Sequence, residues 1–318
     1  MHKENEGIQF TVWCSSTNST VDNHSLCILT GNPASLAIGI QATAAVVPTH
    51  YAAEEQISRA LNRLGKKGAA ALVQIQLPTT QNIRSGDLGE IYATEWIDTH
   101  SGGYKTPIKR LRWKDHRNMA MRGDDVIGFL QDPQTKRLHF LKTEAKSRIT
   151  LKSKTITDAR TGLDKDGGLP SAHALAFISA RLVDLGNTPL ADAIDDAFLK
   201  NSIPVESVRH LVFTFSGNSP NAFLTASLQS YSGTIKQWCI GLHVDGHATF
   251  ISAVYNQVPS WTRFYRPSGF PARLLSMDQA QHSQTLGEAD HPYDYHLSKS
   301  FLKPLLNPNA QRGNRLND

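Results

Sequence analysis

The chain has 318 residues, 40% of them hydrophobic and 19% charged, with a formal net charge of +5, the proportions of a globular protein with a proper core. Cys14, Cys27 and Cys239 are odd in number and unpatterned, which excludes a disulfide framework or a zinc site and fits a reducing cytoplasm. Met1 to Glu6 contain no apolar signal core and no run approaches a membrane span, so a cytoplasmic protein is expected.

Residues 8–14 alternate as a strand, with Ile8, Phe10, Val12 and Cys14 on one face. Ser15 to Asn23 is polar and turn-like, and Leu26 to Leu29 forms a short apolar run before the break at Gly31-Asn32-Pro33. That break lacks the lysine and second glycine of a phosphate loop. Tyr51 to Leu64 has the period of an amphipathic helix, with Ile57, Ala60, Leu61 and Leu64 on one stripe and Gly65 as its C-cap. Ala70 to Leu77, ended by Pro78, reads as a strand. Residues 1–80 are therefore expected to form a small α/β extension.

A helix follows from near Arg84 to about Asp98, with Leu88, Ile91, Tyr92 and Trp96 as its buried stripe and Glu90 just off it. Ser101-Gly102-Gly103 breaks the chain, and Ile108, Leu111 and Trp113 read as a strand with basic residues interleaved. Between Tyr104 and Arg122 lie Lys105, Lys109, Arg110, Arg112, Lys114, Arg117 and Arg122 against Asp115 alone. Lys142, Arg148, Lys152, Lys154 and Arg160 follow further on. Such a belt suits a polyanionic partner.

The stretch from Arg122 to Arg148 carries the chemistry. Asp124 and Asp125 run into the apolar Val126, Ile127, Phe129 and Leu130; Asp132, Pro133 and Gln134 supply a turn; and a second strand ends in Glu144-Ala145-Lys146. Period-two alternation puts Glu144 and Lys146 on one face, within reach of Asp125 at the mouth of the preceding strand. Two carboxylates and a lysine converging on a sheet edge make a site for Mg²⁺, which needs only one or two carboxylates besides water and substrate phosphate. The lysine can steady charge developing on the phosphate or position the attacking water.

Downstream, a polar stretch holds Asp164, Asp166, Gly167 and Gly168, and helices are expected over Ser171 to Leu185 and Pro189 to Lys200. Arg209 to Phe215 reads as a strand, followed by turns to Ser232, a strand near Gln237 to His243 and a helix near His247 to Val258. His173 reads as a core or surface histidine, and Gly246 in His243-Val244-Asp245-Gly246-His247 implies a turn that scatters the potential metal ligands. The tail from Pro259 bears isolated aromatic residues with little periodicity.

The motif resembles the PD-(D/E)xK nuclease superfamily, with Asp125 in the Asp place, Gly123 where a proline is nominal, and Glu144-Ala145-Lys146 in the Glu-x-Lys place. Gly89-Glu90 resembles the extra glutamate on the superfamily's first helix, although Asp87 and Glu95 are alternatives. Gly86-Asp87-Leu88-Gly89-Glu90, the 122–128 segment and Thr143-Glu144-Ala145-Lys146 are together most similar to the HamA nuclease family of the Hachiman anti-phage defence system. The resemblance rests on about residues 83–150. It implies an α/β, restriction-endonuclease-like core with a mixed central sheet flanked by helices at 81–216, and extensions at 1–80 and 217–318. It further implies a DNA nuclease using Mg²⁺ or Mn²⁺, with Asp125, Glu144 and Glu90 as ligands and Lys146 as catalytic helper, and a superfamily 2 helicase (HamB-like) as the partner that restrains it. A stand-alone restriction or junction-resolving nuclease, or a non-catalytic DNA-binding subunit, are the other readings. Clustered carboxylates argue against the last, because they repel a phosphate backbone unless a cation sits between.

Overall fold

A six-stranded mixed sheet carries every strand of the computed structural model, which describes residues 7–121 and 123–263. The strands are β1 (Cys14–Val21), β2 (His24–Gly31), β3 (Val126–Gln131), β4 (Leu138–Arg148), β5 (Val208–Ser216) and β6 (Lys236–His243), in the spatial order β1-β2-β6-β5-β4-β3. An antiparallel hairpin closes each edge, and the three junctions between them are parallel. The central strands are buried on both faces, so β5 reads Leu211, Val212, Phe213 without alternating polarity.

One face is covered by α1 (Leu36–Tyr51), α2 (Glu54–Gln76), α3 (Gln81–His100) and α8 (His247–Gln257). Its core runs from Ile8, Phe10 and Trp13 through Tyr92 and Phe215 to Phe250. Trp13 stacks on Phe250 at 5.6 Å between ring centroids. The other face carries α4 (Ser153–Asp164) and α7 (Asn221–Gln229) over Val212 and Cys239, and α5 (Ala172–Asp184) with α6 (Thr188–Asp195) over Leu138, Phe140 and Val208. Ser171 caps α5 by accepting from the Ala174 amide at 3.3 Å, and Pro189 sits in the first turn of α6.

The sequence reading holds for β3 to β6, the first part of α2, α3, α5, α6 and α8, and departs from the structure at six places. Phe10–Val12 form a 3₁₀ turn that buries Ile8 and Phe10 without a strand, and the first strand is the polar segment 14–21, an edge whose residues 15–20 are exposed. Residues 36–51 form a helix with little polarity difference between its faces. Gly65, at φ +66°, kinks α2, but the chain resumes as helix to Gln76 where a strand was expected. Residues 110–113 are a 3₁₀ turn; the expected strand is reduced to one bridge, in which Lys105 and Phe129 exchange two backbone hydrogen bonds of 2.9 and 2.8 Å. The segments 153–164 and 221–229 are helical. Arg122 and the aromatic-bearing tail beyond Arg263 lie outside the described residues. No helix among them is long and apolar enough to cross a membrane.

Candidate active site

Helix α3 comes close to β4 because residue 89 is glycine: a Cβ there would stand 3.3 Å from the Ser147 Cβ. Leu88, Ile91 and Tyr92 are fully buried against the sheet, which fixes the rotation of the helix and turns Glu90 toward the start of β3. The Glu90 Oε2 is shielded from solvent and has no hydrogen-bond partner. Burial pushes this carboxyl well above the usual range, and the charges of Asp125 and Asp87 push it further than Arg110 and Lys114 pull it back.

Gly123, at φ +92°, makes the turn that delivers two aspartates to the mouth of β3. They diverge. Asp124 turns to α5, where its Oδ2 accepts from the Ser171 amide at 2.9 Å and from the Ser171 hydroxyl at 3.0 Å. Asp125 turns to β4, and its Oδ2 accepts from the Ala145 amide at 2.9 Å. The Arg110 Nη1 donates to the backbone carbonyls of both residues, at 2.8 Å to that of Asp125, and so holds the turn shut. Burial raises the Asp125 carboxyl to about 6, with the charge of Glu144 adding to the rise and Lys146, the Ala145 amide and Arg110 opposing it.

On β4, alternation sends Lys142, Glu144 and Lys146 to one face. The Lys146 Nζ donates to the Glu144 Oε1. Lys142 is buried, with its Nζ donating at 2.8 Å to the carbonyls of Lys165 and Leu169 and standing 3.7 Å from the Asp124 Oδ1. The Glu144 carboxylate lies against α4 at Gly162. The four expected residues are thus brought to one place. The charge of Glu144 raises the Asp125 carboxyl, and that of Asp125 raises Glu90.

The two alternatives to Glu90 are engaged elsewhere. Asp87 is buried and accepts from the Lys114 Nζ at 2.9 and 2.7 Å and from the Tyr51 hydroxyl at 2.6 Å. Burial raises its carboxyl in spite of those partners. Burial would raise Glu95 too, but a 2.7 Å hydrogen bond with His50 and the charge of Lys109 hold it at about 2. Among the described residues no group of three or more His, Cys, Asp or Glu is arranged to hold a metal ion. His243 pairs with Asp245 at 3.1 Å while His247 bonds Ser147 at 2.9 Å, so that histidine–aspartate motif is scattered as expected.

The basic belt is divided: Lys109, Arg110, Arg112, Lys114 and Lys142 are half-buried or buried, while Lys105, Arg117, Arg148, Lys152 and Lys154 are exposed. Lys105, Lys109, Arg110, Arg112, Lys114 and Arg117 each donate to a protein carbonyl or side chain. Sequence reasoning assigned Arg110 and Lys142 to surface charge and passed over Gly162. The position of Lys142, two residues before Glu144 in the same alternation, was the available signal for one of them.

A family model described as HamA matches residues 8–258, most of the chain. The chain belongs to the HamA family. Family membership brings it into the setting of Hachiman-type anti-phage defence. The HamA match takes in all six strands and the four site residues, well beyond the 83–150 stretch that carries the sequence resemblance. No curated protein matches the chain.

Proposed function

We propose that this HamA-family chain is a metal-dependent deoxyribonuclease of the PD-(D/E)xK type, the effector of a Hachiman-type defence system, restrained by a superfamily 2 helicase. The observation that carries the reading is the Asp125 carboxylate bonded to β4 at Ala145, between Glu144 and Lys146 in sequence, with an unpartnered buried oxygen on Glu90, whose carboxyl Asp125 raises. Burying Asp125 and Glu90 where each meets another carboxylate's charge is unfavourable near neutral pH unless a cation neutralises them. The donor set is all oxygen, as Mg²⁺ or Mn²⁺ requires, with Asp125 and Glu144 as ligands and Glu90 as accessory ligand. A divalent cation so held supplies charge neutralisation at the phosphate and a more acidic water.

The chain's own groups do the rest. The Ala145 amide and Arg110 fix Asp125 and its turn. Gly162 leaves room for the Glu144 carboxylate. Lys146, paired with Glu144 on the same strand, is placed to donate to a phosphate oxygen or to orient the attacking water as its contact with Glu144 loosens. Restraint from outside is needed because a sequence-tolerant nuclease would attack the host chromosome. Exposed Ile38, Leu64 and Ile75 offer apolar contacts for a partner on the first third of the chain.

The test is plasmid cleavage by the protein with and without the helicase. Cleavage in Mg²⁺ or Mn²⁺ that stops in EDTA and is abolished by Glu144→Ala and Lys146→Ala, with the fold intact, supports the reading. Cleavage indifferent to chelator removes the metal, and equal host tolerance with and without the helicase leaves a stand-alone nuclease.

A further inference from the structure

A cavity of about 400 Å³ opens between the 108–121 segment and α5, with Arg110 and Asp124 in its lining. That size is in the range that admits a single ring-bearing ligand. Its walls are apolar and aromatic: Ile108, Ile127, Trp113 and Phe177, the last two in edge-to-face contact at 6.1 Å between ring centroids. Its polar lining is Thr94, Arg110, Lys114, Asp115, Asp124 and His173. Asp124 has given Oδ2 to Ser171, and its Oδ1 is ion-paired with the Lys142 Nζ at 3.7 Å, longer than a hydrogen bond.

We infer that this pocket receives an unpaired nucleobase of the DNA strand being cut. The inference rests on the nuclease reading above. A base has a flat face that aromatic side chains stack on and an edge carrying donors and acceptors, which matches the aromatic walls and the polar lining. Placement fits as well. Arg110 lines the pocket and binds the carbonyls of Asp124 and Asp125, so the cavity lies one residue along the chain from the central carboxylate of the site. A strand whose scissile phosphate reaches Asp125 presents a base on either side of that phosphate. The pocket accepts one of them only if it has left its duplex partner, so the enzyme selects single strands or locally opened DNA.

Full-length Lys146→Ala protein is titrated with single-stranded oligonucleotides carrying 2-aminopurine at successive positions. The expected result is a change in emission at one or two adjacent positions only. Trp113→Ala weakens binding by roughly 5- to 100-fold, the range for loss of one base stack, and abolishes that local signal. Ala120, exposed at the pocket rim, allows a variant that spares the core: Ala120→Phe blocks the cavity and has the same effect. An abasic residue at the responsive position weakens binding to the Lys146→Ala protein by a similar factor but adds nothing in Ala120→Phe. Emission that is uniform along the strand, or abasic strands bound as tightly as intact ones, overturns the inference. If cleavage persists in that case the nuclease reading stands; a protein that neither binds nor cuts DNA loses both.

Discussion

Gly162 and Glu144 are in contact across the α4–β4 interface: a Cβ on residue 162 would lie 2.9 Å from the Glu144 carboxyl carbon and 3.0 Å from each of its oxygens. The carboxylate therefore has its present position because α4 offers bare backbone there. Gly162→Ala is expected to displace Glu144 and lower kcat/KM at least tenfold, about 1.4 kcal/mol of transition-state stabilisation. Alanine in place of a helical glycine gains roughly 0.5–1 kcal/mol, so thermal stability holds or rises. A fall in activity together with a fall in Tm would point to a packing defect instead.

The two neighbouring aspartates are expected to behave oppositely. Asp124→Ala loses both contacts to Ser171 at the start of α5 and destabilises by about 1–2 kcal/mol, with residual cleavage. Asp125→Asn keeps an acceptor for the Ala145 amide, removes a charge repelled by Glu144, and abolishes cleavage while raising Tm at pH 8. Denaturation and plasmid nicking on the same samples decide it.

Asp125 titrates at about 6 in the folded protein and near 3.9 when unfolded, so between those values the folded state retains a proton the unfolded chain has lost. Stability from this group is therefore lost as pH rises from about 4 through 6, and Glu90 shifts in the same direction. A divalent cation held by these carboxylates is expected to reverse that loss. Saturating Mg²⁺ is expected to raise Tm on the order of 5 °C at pH 8 and hardly at all at pH 4.5, where protons already neutralise the site. Calorimetry of the wild type and of Asp125→Asn, which should lose the Mg²⁺ response, checks this without reference to activity.

Lys142 is a buried cation serving two carbonyls of the loop before α5. Lys142→Met leaves the carbonyls of Lys165 and Leu169 without that donor and Asp124 without a nearby charge, at a cost of about 2–4 kcal/mol. Urea unfolding with an unchanged m-value is the measure. Lys142→Arg is not expected to rescue, because a planar guanidinium cannot take the place of a compact ammonium.

How far the sequence could be read depended on what surrounds each segment. The β3–β4 hairpin was legible because Asp132 announces its turn, accepting from the amides of Gln134 and Thr135, and because Asp125, Glu144 and Lys146 fall on a strand period. Helix α3 was legible through Leu88, Ile91, Tyr92 and Trp96. Helix α1 was not, since Leu36 to Tyr51 is apolar on nearly all sides, carries β-branched residues and includes Pro48, so no helical period stands out. Strand β1 shows no apolar alternation because it is a sheet edge. Around Trp113 the apolar and basic residues do alternate, but Lys109, Arg112 and Lys114 are drawn inward by Glu95, Thr49 and Asp87, and those tertiary contacts override the strand pattern. Nothing local marks Gly162 as a neighbour of Glu144; that relationship exists only once α4 has packed.

Strand β2 lies parallel to β6, Ser25 beside Trp238 through Thr30 beside His243. On the ribosome the β1–β2 hairpin emerges about 200 residues before that neighbour, a wait of roughly 10–40 s at ordinary rates of synthesis. Through that interval one flank of β2 offers its amides and carbonyls to any passing strand. The other flank is occupied by β1, whose run of serine, threonine and asparagine from Ser15 to Thr20 carries no large apolar group. A nascent hairpin so built can wait without recruiting its neighbours on a polysome, and the outermost and least apolar strand of the sheet serves as its temporary solubilising sleeve.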